Sequence, residues 1–276
     1  MNELSLKPPR LLIQSVDQEP SYVLGFPVHI ALEIDVDASG AEVRTTLLDF
    51  ISTYGGLGAV LTDAAGSVVF EHRSRQGVDL DEAPPLWIRS GHPQRMLVDV
   101  SEILPATLVA GDYQAQLGIL GSRPPVFSHL FPLSLRPPTE AECVMLNMTQ
   151  RGAGQTWGEW ACTPPPDDFV WTTPTDPRDP LRFSATLREM LMGQRSLSSW
   201  ARQDFAALDG VYAPEREALW AEVLHAQGNA GALRAQCSAV LKNWPGLSDW
   251  MAEIQSGRGP IASLRAALTS ILSGQP

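Results

Sequence analysis

Lysine is all but missing from this chain. Of its 20 basic residues only Lys7 and Lys242 are lysine, against 31 acids and a net charge of -11. So acidic a chain is repelled by phosphate backbones and anionic lipid, so neither nucleic acid nor a membrane is expected as a partner. Cysteine is scarce as well. Cys143, Cys162 and Cys237 are an odd set with no C-x-x-C spacing. That excludes a disulfide framework and a zinc-ribbon pattern. No apolar run approaches the length of a membrane span, and the opening Met1-Asn2-Glu3-Leu4-Ser5-Leu6-Lys7 lacks the apolar stretch of a signal peptide. A cytoplasmic protein is the expectation, which makes the sequon Asn147-Met148-Thr149 incidental. His29, His72, His92, His129 and His225 fall at no metal-ligand spacing, and the nucleophile elbow G-x-S-x-G is missing. No catalytic residue, metal or cofactor is assigned.

What is present divides in two. Up to about Leu135 the apolar residues alternate; from about Pro180 they recur every three to four positions. The sequence therefore predicts a β domain followed by a helical one. In the run 27–36, Val28, Ile30, Leu32, Ile34 and Val36 fall on one face and His29, Ala31, Glu33 and Asp35 on the other, as in a strand with one buried side. Similar runs are 11–16, 45–50, 59–62, 67–72, 94–100, 112–120 and 126–135. Asp63-Ala64-Ala65-Gly66 reads as a hairpin turn and Asp37-Ala38-Ser39-Gly40 as the end of a strand. Seven or eight short strands at this spacing predict an antiparallel sandwich. Residues 1–140 hold 17 acids and 9 bases, residues 141–276 hold 14 and 11, so the acid surplus sits mainly on the β half.

Leu108-Val109-Ala110-Gly111-Asp112-Tyr113 opens a run of Tyr113, Ala115, Leu117 and Ile119. It resembles the tyrosine corner of immunoglobulin-like and fibronectin-type sandwiches, including cytoplasmic bacterial domains of the intracellular proteinase-inhibitor type. The resemblance covers about 8–137 and implies a Tyr113 hydroxyl tied to backbone at a strand entry. Ala115 stands where the antibody type has cysteine, so no inter-sheet disulfide is implied.

Between Pro124 and Pro180 lie 11 of the 23 prolines, together with Trp157, Trp160, Phe169 and Trp171. Two readings of this stretch stand: an extended segment whose aromatics pack on the domains, or an exposed aromatic and proline-rich patch that docks a partner. Residues 142–149 fit either a strand or a short helix. Helical stripes follow, each with its own punctuation: Asp179-Pro180, then 198–208, Pro214 with Glu215 and Glu217, Gly228-Asn229, Pro245, and Gly259-Pro260. The run from Pro214 to Pro245 resembles a single tetratricopeptide-type helix hairpin, although Leu233 occupies a position that family gives to a small residue. The organisation expected is 1–138 sandwich, 139–178 connector and 179–276 small helical bundle.

Two weaker patterns are read as structural. Asp35-Val36-Asp37-Ala38-Ser39-Gly40 resembles the start of a calcium loop, but Thr46 stands where the bidentate acid is needed. Gly55-Gly56-Leu57-Gly58 has no helix after it to make a phosphate cradle. The function expected is that of a non-catalytic protein-protein interaction or adaptor protein. A protease-linked partner, substrate or inhibitor falls in that class, with the loop 76–85 as the presented segment. The partner surface assigned is Trp157, Trp160, Phe169 and Trp171. The alternative is a cysteine-dependent hydrolase, using Cys143 or Cys162 with a distant histidine at the domain junction.

Overall fold

The computed structural model describes residues 11–37, 42–46, 57–72, 85–120, 126–166, 174–193 and 195–272. Strands fill the first half of the chain and helices the second. Two compact units result: one of residues 1–21 and 29–136, the other of 22–28 and 137–276.

In the first unit, β1 (Leu11–Asp17), β3 (His29–Val36) and β8 (Gln94–Asp99) form an antiparallel sheet in the order β1-β3-β8. Alternation decides its buried face: Leu11 and Ile13 on β1, Ile30, Leu32 and Ile34 on β3, Met96 and Val98 on β8 are all buried. Register pairs Ile30 with Val98 and Leu32 with Met96. A second sheet has β9 (Gly111–Ile119) between β11 (Phe131–Arg136) and β5 (Leu57–Thr62), with β6 (Val68–His72) outside β5 and β10 (Val126–Phe127) also paired to β9. Strands β4 (Glu42–Thr46) and β7 (Pro85–Arg89) pair with each other. Tyr113 enters β9 with its hydroxyl donating to the Val109 carbonyl at 2.8 Å.

The glycines of the second sheet serve packing. Gly58 and Gly118 face each other across β5 and β9, and Phe127 pairs with Gly118 from β10. A Cβ on Gly118 would stand 2.6 Å from Phe127 Cδ1, and one on Gly58 would stand 3.0 Å from Cζ. The ring thus lies over two bare backbones, an arrangement that restores apolar cover to glycine in a strand. Gly58 is the second residue of this strand, after Leu57; residues 55 and 56 lie outside the described residues.

The second unit begins with α1 (Glu140–Met148) and α2 (Trp157–Cys162). Each starts on a reciprocal cap: Thr139 with Glu142, and Thr156 with Glu159. Residues 142–149 are therefore mostly helix, not strand. Next comes α3 (Arg182–Met192), which starts two residues later than Asp179-Pro180 suggests, with Asp179 Oδ1 accepting from the Leu181 amide at 2.8 Å. The stretch 198–208 forms no α-helix; it makes two 3-10 turns, Leu197–Ser199 and Arg202–Phe205, folded around buried Trp200 and Phe205. Gln227 holds that stretch by donating to the Ser198 and Trp200 carbonyls. Then follow α4 (Ala213–Ala226), α5 (Ala230–Asn243), α6 (Ser248–Gln255) and α7 (Pro260–Leu272). Ala218, Ala221 and Leu224 of α4, Leu233, Cys237 and Val240 of α5, and Leu247, Met251 and Ile254 around α6 share one apolar core.

Residues 22–28 contribute to this helical unit. β2 (Tyr22–Val23) carries Val23 into a core with Phe26, Trp157, Trp160, Ala161 and Leu181. Phe26 stacks on Trp157 with ring centroids 6.4 Å apart, and Trp157 meets Trp160 edge-on at 5.5 Å.

Candidate functional site

The candidate surface is the β5–β6 hairpin of the first unit. Asp63 fixes its turn. Its Oδ1 accepts from the Ala65 and Ser67 amides, both at 2.9 Å, and its own amide donates to the Ser67 carbonyl at 2.9 Å. Gly66 completes the turn at φ +80°, where a side chain would be strained. This rigid turn delivers β6 as the end strand of its sheet among the described residues. The register slips by one residue: Leu61 pairs with Phe70 and Thr62 with Val68, so Val69 is the extra residue of a bulge. Val68 and Val69 are 57% and 45% exposed, two adjacent branched apolar side chains in water. The bulge and the exposed Glu71 are features that also guard an edge, but no charge stands at 68 or 69 themselves.

The same turn walls a pocket of about 190 Å³. It is lined by Asp63 and Ala64 from the turn, Asp112, Tyr113 and Gln114 from β9, and Pro132, Leu133 and Ser134 from β11. Two of those residues are acids. The hairpin therefore stands beside a largely apolar hollow whose lining includes two acids. Nothing in that set is a nucleophile paired with a base. Among the described residues no group of three or more His, Cys, Asp or Glu side chains is placed to hold a metal ion.

The described residues among those singled out in the sequence lie elsewhere. Trp157 and Trp160 are each 2% exposed, in the core of the helical unit. The Trp160 indole donates to the Thr149 carbonyl at 3.0 Å. The Arg188 guanidinium lies 4.2 Å over its ring and also bonds the Trp160 carbonyl, and Arg151 lies 4.4 Å over Trp157. Phe169 and Trp171 lie outside the described residues, as does 76–84 of the loop suggested for presentation. Asp35 Oδ1 is occupied by the amides of Val36 and Gly91 at 2.7 and 3.2 Å, and residues 38–40 of that acidic loop lie outside the described residues.

The cysteines diverge. Cys143 is exposed on α1, Cys162 is half-buried at the end of α2, and Cys237 is buried in the α4–α6 core. Burial pushes the thiols of Cys162 and Cys237 up, so both stay protonated at neutral pH. A nucleophilic cysteine is shifted the other way.

The helical unit also holds buried acids in structural roles. Glu222 on α4 accepts from the Ile261 amide at 3.1 Å and from the Trp250 indole at 3.3 Å. Burial pushes its carboxyl up, opposed by those bonds. Glu217 lies in a half-buried network of Arg202, Arg216 and Gln236; burial opposes its charge, but the bonds from Gln236 and Arg202 outweigh that and lower its carboxyl. No described helix is long and apolar enough to cross a membrane.

No protein-family model matches the chain, and no curated protein matches it. Among solved structures it is similar to a β-glucosidase from Listeria innocua in complex with isofagomine, at 10% identity and a TM-score of 0.29 over 48% of this chain and 16% of that one. The same enzyme with glucose gives 11% identity and a TM-score of 0.27 over 46% and 16%. Dimeric latent PorU from Porphyromonas gingivalis gives 10% and 0.25 over 49% and 10%. The matched part thus spans a sixth or less of each of these proteins.

Proposed function

We propose that this is a non-catalytic protein-binding protein whose β unit receives an extended segment of its partner along β6. One observation carries the reading: the consecutive residues Val68 and Val69 are exposed on a strand that, among the described residues, ends its sheet, next to the Asp63 turn. An incoming strand gains backbone hydrogen bonds from such an edge and side-chain contacts from the valines. Asp112, in the lining of the adjoining hollow, and the surplus of acid over residues 1–140 favour a basic residue in that segment. The same charge works against nucleic acid and anionic membranes as ligands. The β unit fits an immunoglobulin-like sandwich in its antiparallel sheets and its Tyr113 tie, and the second unit a small helical bundle. A cytoplasmic setting accords with the three free cysteines.

The test is quantitative affinity purification from the native cell with the wild-type chain and with Val68→Lys/Val69→Lys. A discrete protein retained by the first and lost from the second supports the reading. Equal retention of every co-purifying protein by both overturns it.

A further inference from the structure

The C-terminal sequence repeats itself. Shifted by 31 positions, 214–241 aligns with 245–272 without a gap. Identities are Pro214 with Pro245, Ala221 with Ala252, Glu222 with Glu253, Gly228 with Gly259, Leu233 with Leu264, Arg234 with Arg265, Ala235 with Ala266 and Leu241 with Leu272. Val223 with Ile254, Ser238 with Thr269 and Val240 with Ile271 are close substitutions. The elements follow the alignment. Helices α4 and α5 meet at Gly228-Asn229, and α6 and α7 flank the turn that carries Gly259. A helix pair that recurs at a fixed period buries its face against the next pair in line.

The two copies differ in cover. In the first, Leu233, Cys237 and Val240 of α5 are 8%, 0% and 1% exposed, in a core shared with Ala218, Ala221 and Leu224 of α4 and with Leu247, Met251 and Ile254 of the following segment. In the second, Leu264 stands where Leu233 stands and is 46% exposed, and Leu268, the counterpart of Cys237, is half-buried. Helix α7 is nonetheless held firmly. Glu222 caps its first turn through the Ile261 amide, Ile261 is buried, and Arg265 donates to the Arg195 carbonyl at 2.9 Å. Its Leu264 side is therefore a presented surface on an anchored helix.

We infer that this side of α7 docks an amphipathic helix of a partner protein, one that presents apolar residues at the spacing of Leu247, Met251 and Ile254. The argument for a helix is internal to the chain: such a segment contributes to the core on the equivalent side of α5, where Leu233 recurs as Leu264 and Cys237 is replaced by the apolar Leu268. The inference is independent of the β6 edge, which lies in the other unit, and either can fail without the other.

The probe is a fluorescein-labelled peptide of residues 244–257, the segment that follows α5, titrated with the full chain and followed by anisotropy. The test variant is Leu264→Glu and the control, on α5, is Leu241→Glu, at a side chain 37% exposed. Saturable binding that Leu264→Glu weakens about tenfold or more, and that Leu241→Glu leaves within about twofold, supports the inference. Thermal unfolding of each variant confirms that it is folded. Absence of saturable binding, or equal binding by both variants, overturns it. So does concentration-dependent self-association of the wild type that Leu264→Glu abolishes, since the occupant is then a second copy.

Discussion

Glu222 and Gly259 form a matched pair: the carboxylate of one fills the space in which a side chain on the other would begin. That contact lets Glu222 reach past the turn and accept from the Ile261 amide at the head of α7. Gly259→Ala should therefore destabilise the helical unit by about 1–3 kcal/mol, the range for forcing extra volume into a packed site. Thermal unfolding checks this. Gly231→Ala, in a place open to solvent, is the control and should be neutral or stabilising.

Glu222 also sets a pH dependence. Burial raises its folded carboxyl above the ordinary value of 4.5. A group raised on folding lends stability that is complete below its unfolded value and is lost as pH rises through the folded one. Glu222→Gln does not titrate. The stability of the Gln variant relative to wild type should therefore climb as pH increases from about 4 towards 7. Denaturant unfolding at a series of pH values measures that difference; a decline over the same range contradicts the assignment.

Tyr113→Phe removes the donor to the Val109 carbonyl, and Tyr113 is 7% exposed. A cost of about 1–2 kcal/mol in the β unit is expected. An unchanged unfolding midpoint contradicts a buried, bonded hydroxyl.

Gly118→Ala should clash with the Phe127 ring. Combined with Phe127→Ala, the two losses should be strongly non-additive, because each mutation removes the other's partner. A double-mutant cycle with a coupling energy near zero would show that the ring does not depend on the bare strand.

Much of this architecture was legible in local pattern. Alternation locates the long strands because a half-buried strand has period two, and Pro214, Gly228-Asn229 and Pro260 mark helix ends because they act within one turn of the backbone. Two reciprocal caps, Thr139-x-x-Glu142 and Thr156-x-x-Glu159, were also present in the sequence and suffice to select helix for both stretches. What local pattern does not carry is long-range choice. Nothing near Phe26 says that its ring stacks on Trp157, so the place of residues 22–28 in the helical unit depends on packing alone. The tryptophans are a similar case: aromatic content marks a contact, but only the fold distinguishes a core from a surface. The candidate recognition edge was half legible, since the Asp63-Gly66 turn is a sequence signal and the exposure of Val68 and Val69 is not.

The central claim is that β6 is a pairing edge for a partner. Site-specific photo-crosslinking tests it most directly, with a crosslinking amino acid placed at position 68 and, as control, at position 109, where Val109 is 67% exposed. A discrete protein adduct in the native cell from position 68 and none from position 109 is the expected result. No adduct from position 68, or the same adducts from both positions, would contradict it.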